Sequence, residues 1–192
     1  GSNQLVFVPM DRNFRMDPDA LWETVKAVTL RRIPIQALVS ICGSTEEGAV
    51  DRLDRLVAVR ARAEKELGVT FHLHSDACYG GYAASVTWRA NGQRRTAREV
   101  AASLGGPWLS EEWLSAYSAL SEADSITVDP HKLGYVPYPA GAILFRDKRS
   151  RDLVAVDPPY LIPAQGRREG ALHDEEMLGR YIFEGSKPGA AA

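Results

Sequence analysis

The sequence has few of the residues that mark disulfide-bonded, nucleic-acid-binding or membrane proteins. Its two cysteines, Cys42 and Cys78, lie in apolar surroundings without a CxxC spacing, so we predict buried free thiols. The 23 basic and 25 acidic residues give a net charge of -2, which provides no basic surplus for nucleic acid or an anionic membrane. No apolar run is long enough to span a bilayer. We therefore predict a cytoplasmic protein without nucleic-acid or membrane partners.

The remaining composition is that of a globular protein. Of the 192 residues, 45% are hydrophobic and 25% are charged, which is enough apolar material for a sizeable core. We predict that residues 1–192 form a single domain.

The first third of the chain alternates between short apolar runs and helical patterns. Leu5 to Val8 predicts a short buried strand. Asp17 followed by Pro18 predicts a helix start, because Asp can cap the first amides and Pro needs no hydrogen bond there. The run from Ile35 to Cys42 is almost wholly apolar, which is typical of a strand covered on both faces.

A second helix and a third strand continue this rhythm. Apolar positions at helical spacing predict a helix from about Asp51, ending at Gly68, and Phe71 to His74 predicts the next strand. Strand and helix in alternation indicate an α/β fold with a mostly parallel sheet and helices on both faces. Such sheets bind ligands beyond the carboxyl ends of their strands, where Ser44, Asp76 and Lys132 are predicted to lie.

The most informative stretch is residues 124–145, DSITVDPHKLGYVPYPAGAILF. It predicts strands at Ser125–Val128 and Ala142–Phe145, joined by a loop that contains His131 and Lys132. A lysine held at a strand end beside an imidazole can lose its proton and act as an amine nucleophile. Lys132 is therefore a candidate for Schiff-base chemistry, against the alternative of an ordinary surface lysine in a turn.

A different chemistry is suggested by the spacing of His72, His74 and Asp76. Alternate residues of a strand point to one face, so this HxHxD pattern could bind a hydrolytic zinc or a similar metal. That alternative leaves the loop around Lys132 without a role.

Five segments, in order, resemble the group II pyridoxal-phosphate amino acid decarboxylases, and specifically the bacterial tyrosine decarboxylases. They are VPMDRNFRMD, GSTEEGAVD, HSDACYGGY, DSITVDPHKLGYVPYPAGAILFRD and FEGSKPGA. The resemblance implies a fold-type-I large domain, of which this chain would be the central part. It also implies decarboxylation of an L-amino acid by a homodimeric enzyme, with tyrosine or another aromatic amino acid as the expected substrate.

The resemblance also implies a role for each candidate residue. Lys132 would bind pyridoxal 5'-phosphate covalently, and Asp76 would pair with the pyridine nitrogen. His131 would contact the phosphate. Thr45 would lie near the ring hydroxyl or the substrate carboxylate, and Cys78 would stand at one face of the ring, where the family usually has Ala.

The same resemblance implies that several working parts lie outside these residues. The main phosphate loop, a ring-stacking His and a protonating Tyr belong to other segments of the family's sequence. We therefore expect the 192-residue chain alone to be inactive. A non-catalytic homologue that serves binding or assembly is the remaining alternative, although the intact Lys132, His131 and Asp76 disfavour it.

Overall fold

A computed structural model of the chain describes residues 4–106, 110–137 and 139–153. The chain divides into two compact units, Gly1–Leu144 and Phe145–Ala192, and the second is described only as far as residue 153. The single domain predicted for residues 1–192 stays a prediction. The FEGSKPGA segment lies outside the described residues.

Strands and helices alternate along the described residues. The strands are β1 (Ala37–Ile41), β2 (His72–Asp76), β3 (Ser125–Val128) and β4 (Ala142–Phe145). The α-helices are α1 (Pro18–Leu30), α2 (Leu53–Leu67), α3 (Ala97–Leu104) and α4 (Glu111–Ser118), and short 3-10 helices cover Gly81–Thr87, Ala119–Glu122 and Lys148–Leu153. No helix in the described ranges is long and apolar enough to cross a membrane.

The four strands form one sheet in the order β1-β2-β3-β4. The β1–β2 and β2–β3 pairs are both parallel, which confirms the α/β class predicted from the sequence. Ile41 pairs with Asp76, and Asp76 pairs with Thr127. The carboxyl ends of β1, β2 and β3 therefore meet at one edge of the sheet.

The helix boundaries follow the capping signals. Asp17 accepts hydrogen bonds from Asp19 N and Ala20 N, and Pro18 occupies the first position of α1. Gly68 ends α2 at φ 66°, in the left-handed region that glycine adopts without strain.

The sheet buries one face against the helices and leaves the other partly exposed. Leu38 of β1 and Leu73 of β2 pack in one apolar core with Leu21 of α1 and Leu56 of α2. On β1 the burial alternates, and Val39 remains 49% exposed. The prediction that β1 is covered on both faces was therefore wrong for the described residues, in which the helices bury a single face.

Two segments differ from their predicted structure. Residues 5–8 form no strand, and Phe7 is 88% exposed, because the apolar run pairs with no other strand among the described residues. Helix α3 was not predicted, although Thr96 and Glu99 form a capping box at its start.

Candidate active site

The loops after β1, β2 and β3 are joined by backbone hydrogen bonds at the carboxyl edge of the sheet. Gly80 N donates to Cys42 O at 3.0 Å, and Asp129 N donates to Cys78 O at 3.2 Å. The first contact requires glycine, because a Cβ on Gly80 would lie 2.3 Å from Cys42 O. The three predicted ligand loops thus form one continuous region.

Asp76 ends β2 as a half-buried carboxylate with two hydrogen bonds to one oxygen. Cys78 N donates to Asp76 Oδ1 at 3.1 Å, and Thr127 Oγ1 donates to the same atom at 3.3 Å. Burial alone would raise the pKa of Asp76, but hydrogen bonds from Cys78 and Thr127 hold it below its usual value. Asp76 is therefore an anion at neutral pH.

The two cysteines are free thiols, as predicted, but only Cys42 is buried, so the prediction of burial was wrong for Cys78. Cys42 is buried, and burial raises its pKa to about 11. Cys78 is half-buried next to Asp76. Burial, together with the negative charges of Asp76 and Asp129, raises the pKa of Cys78, so this side chain remains a neutral thiol beside the carboxylate.

Lys132 lies in the turn after β3 and pairs with Asp129. Its Nζ is 2.9 Å from Asp129 Oδ2 and 5.9 Å from the centre of the Tyr79 ring. The hydrogen bond that Lys132 donates to Asp129 is the main cause that raises the pKa of Lys132. In this state a carboxylate therefore stabilises the ammonium form, and the role of Lys132 as an amine nucleophile stays a prediction.

His131, next to Lys132, is an exposed side chain with one nitrogen engaged. Its Nδ1 donates to the carbonyl oxygen of Ala140 in the segment before β4. This bond orients the ring and leaves Nε2 for another contact.

Thr45 is exposed in a separate turn after β1. That turn is held by Ser44, whose hydroxyl accepts from Ala49 N at 3.0 Å and donates to Glu47 at 3.0 Å. Among the described residues, no hydrogen bond or ion pair joins Thr45 to Asp76 or Lys132. The structure thus places Asp76, Cys78 and Lys132 in one region, and it shows no contact that brings Thr45 into it.

The side chains of His72, His74 and Asp76 lie on one face of β2, as the alternation predicts, but they are engaged elsewhere. Both imidazoles are 2.7 Å from Ser125 Oγ. Within the described ranges, no group of three or more His, Cys, Asp or Glu side chains is arranged to hold a metal ion. The side-chain contacts therefore do not support the alternative of a metal site.

Three residues of this region were not identified as site residues from the sequence. Asp129 binds Lys132, Thr127 binds Asp76, and Ser125 links the two histidines. The pattern DSITVD contains all three, and alternation along β3 places Ser125 and Thr127 on the same face. That alternation was the signal that could have identified them.

A groove of about 610 Å³ lies away from this region, between α2 and α4. Asp54, Arg94 and Glu111 are among its lining residues. None of the predicted site residues lines it.

Curated proteins similar to this chain are amino acid decarboxylases. The chain is 40% identical over 200 residues to the L-tyrosine decarboxylase of Levilactobacillus brevis, covering 100% of this chain and 31% of that protein. It is 36% identical to the L-tyrosine decarboxylase of Enterococcus faecalis, with the same two coverages. The probable L-tyrosine/L-aspartate decarboxylase of Methanothermobacter thermautotrophicus is 32% identical over 84% of this chain and 38% of its own length. The chain thus spans about a third of the length of these relatives, and no family model matches it.

Solved structures agree on the fold. Mouse CSAD matches with 25% identity and a TM-score of 0.53, covering 77% of this chain and 25% of that one. Oryza sativa TDC, solved with PLP and tryptamine, matches with a TM-score of 0.57 over 82% of this chain and 26% of that one. Its 20% identity is evidence of the fold alone. The α/β sheet described above is therefore part of a fold-type-I large domain, as predicted.

Proposed function

We propose that the chain contributes the cofactor site of a carboxy-lyase, because it is homologous from end to end to a segment of the L-tyrosine decarboxylases. The reaction would convert an L-amino acid, tyrosine or another aromatic one, to its amine and CO2. The observation that supports this best is the position of Asp76 and Lys132. Asp76 ends β2 and Lys132 follows β3, two paired parallel strands, at the edge where α/β sheets bind ligands.

The described residues suit pyridoxal phosphate. Asp76 supplies a stable anion for a protonated ring nitrogen, and Lys132 supplies a primary amine within the same set of loops. When bound, the cofactor provides a ring that accepts the electrons released as CO2 leaves the substrate. The chain's own task is to hold that ring and to keep its nitrogen charged.

Asp129 holds Lys132 as an ammonium. An ammonium cannot attack an aldehyde, so Lys132 Nζ must first release a proton to solvent. The Asp129 carboxylate, 2.9 Å away, opposes this release and fixes the position of Nζ until the proton is lost. His131 is oriented by its bond to Ala140 and would offer Nε2 to the phosphate. In the neutral ring the proton lies on Nδ1, which donates to Ala140. Nε2 could therefore donate a hydrogen bond to the phosphate only if the ring were an imidazolium.

The test is covalent capture of the cofactor. We expect pyridoxal phosphate followed by borohydride to modify Lys132 of the 192-residue chain, as read by peptide mapping, and K132A to remove that modification. Lys26 is the matched control, because it is also an i,i+3 ion pair and its side chain is 36% exposed against 32% for Lys132. Equal labelling of K132A and wild type, or labelling of Lys26 to the same extent as Lys132, would contradict the proposal.

Activity separates this proposal from its alternatives. The chain spans about a third of its relatives, so we expect Lys132 to be labelled without release of CO2 from tyrosine. A chain that carries no adduct would favour the non-catalytic homologue. The homodimeric state, the cytoplasmic location and the absence of nucleic-acid or membrane partners stay predictions.

A further inference from the structure

Five side chains form a continuous line of polar contacts across β2 and β3. His72 Nε2 lies 2.7 Å from Ser125 Oγ, which is also 2.7 Å from His74 Nδ1. His74 Nε2 then lies 3.5 Å from Thr127 Oγ1, which is 3.3 Å from Asp76 Oδ1. The third contact is the longest and therefore the weakest. The line runs along the partly exposed face of the sheet and ends at the proposed cofactor carboxylate.

With His74 as a neutral ring, the hydrogens available on this line allow one consistent direction. Ionised Asp76 can only accept, so Thr127, with a single hydroxyl hydrogen, donates to it. Thr127 can then only accept from His74 Nε2–H. A neutral His74 must next accept at Nδ1, and Ser125 supplies the hydrogen.

The charge of His74 decides between this arrangement and one in which His74 is an imidazolium. In the imidazolium both ring nitrogens would donate, so Ser125 would accept from His74 Nδ1–H and could donate its own hydrogen to His72 Nε2. Burial lowers the pKa of His74, although the charge of Asp76 acts in the opposite direction. The neutral ring is therefore the form favoured at neutral pH.

We propose that the line His72–Ser125–His74–Thr127 is a positioning device that fixes the orientation of the Asp76 carboxylate. It holds His74 as the neutral ring protonated at Nε2, and through Thr127 it directs a hydrogen bond to Oδ1, the atom already bound by Cys78 N. Oδ2 receives neither of these two bonds and would be the oxygen offered to a ring N–H, beside the Cys78 thiol, which also hydrogen-bonds to this carboxylate. This last step rests on the proposed function, whereas the order of the hydrogen bonds does not.

The first test needs no cofactor. In ¹⁵N-labelled wild-type chain at neutral pH, we expect the His74 NMR shifts of a ring protonated at Nε2 and bare at Nδ1. In T127V, Nε2 loses its acceptor, so a mixture of the two neutral tautomers should appear, and T127S should restore the wild-type pattern. T24V is the matched control, because Thr24 donates to Ala20 O within α1, away from the line.

The second test measures how the Asp76 carboxylate affects the protonation of the ring nitrogen. After borohydride fixes ¹⁵N-labelled pyridoxal phosphate on Lys132, the pyridine nitrogen should be protonated at neutral pH in wild type and in T24V. It should be less protonated in T127V and least in D76N. Because the ring is covalently fixed, weak cofactor affinity cannot produce this result.

The outcomes separate the two proposals. Failure to label Lys132 would contradict the proposed function but leave the NMR test of the line valid. A doubly protonated or Nδ1-protonated His74 in wild type, or T127V spectra equal to wild type in both tests, would overturn the positioning device. If T127V does not fold, S125A replaces it, and its expected effect is loss of the preference for the Nε2–H tautomer of His74.

Discussion

Replacing Asp51 by Asn tests whether a buried carboxylate holds the amino-terminal loop to the end of β1. Asp51 is 5% exposed, and each of its oxygens accepts one backbone hydrogen bond. Met16 N donates to Oδ1 and Ile41 N to Oδ2, both at 2.7 Å. An asparagine of the same shape has a single acceptor oxygen, so one of these N–H groups would face an NH2 group instead.

The expected loss of stability in D51N follows from the backbone N–H group that is left without an acceptor. A buried donor without an acceptor costs about 1–3 kcal/mol of folding free energy. The amide also removes a buried charge, which offsets part of this cost. We therefore expect D51N to lower the free energy of unfolding by about 1–2 kcal/mol, and D51A, which leaves both donors unpaired, to lower it by roughly twice as much.

Urea unfolding of the 192-residue chain at pH 7 measures this difference. Asp19 provides the control, because it is an exposed acid in the first turn of α1, and D19N should stay within about 0.5 kcal/mol of wild type. If D51N were no less stable than D19N, the two short hydrogen bonds would not stabilise the fold, and the reasoning would be wrong.

The pH dependence adds a second check with a defined sign. Burial raises the pKa of Asp51, despite the opposing effect of the hydrogen bonds from Ile41 and Met16. A raised pKa in the folded state means that its contribution to stability is full below the ordinary value of 3.8 and is lost as the pH rises through the folded pKa. The stability difference between wild type and D51N should therefore shrink as the pH rises through that range. A difference that grew with pH would contradict this sign.

Two further substitutions test single contacts at the site and beneath it. D129N should lower the pKa of Lys132, because the hydrogen bond that Lys132 donates to Asp129 is the main cause that raises it. Competitive acetylation of Lys132 across pH measures this pKa, and an unchanged profile would exclude the ion pair in solution. S75A should leave the free energy of unfolding unchanged or raise it by up to about 1 kcal/mol, because Ser75 Oγ is buried without a hydrogen-bond partner among the described residues. Urea unfolding measures this. A loss of stability above about 1 kcal/mol would mean that the hydroxyl has a partner.

The sequence predicted the elements whose causes are local. Asp17 and Pro18 define the start of α1, and β3 and β4 have their predicted bounds, because capping and strand propensity depend on neighbouring residues. The convergence of the loops at Asp76 and Lys132 was also predictable, since parallel strands present their carboxyl ends at one edge.

The parts that could not be predicted depend on long-range pairing. The apolar run at residues 5–8 has strand composition, but composition does not provide a neighbouring strand, and Leu5, Val6 and Phe7 remain exposed. The protonation of Lys132 depends on the turn geometry that brings Asp129 to 2.9 Å, rather than on the adjacent imidazole. The resemblance suggested a cofactor contact for Thr45, which is exposed in a turn closed by Ser44 and Glu47.

Two aspartates near strand ends show how a structural carboxylate differs from a functional one. Asp51 is buried, and both of its oxygens accept backbone N–H groups, so no oxygen remains for a ligand. Asp76 is half-buried, and the bonds from Cys78 N and Thr127 both end at Oδ1. Burial raises the pKa of both, but at Asp76 the hydrogen bonds outweigh it and the pKa falls. A carboxylate that stays ionised and keeps one oxygen outside these bonds can bind a cation, and this is the property that distinguishes Asp76 as the candidate site residue.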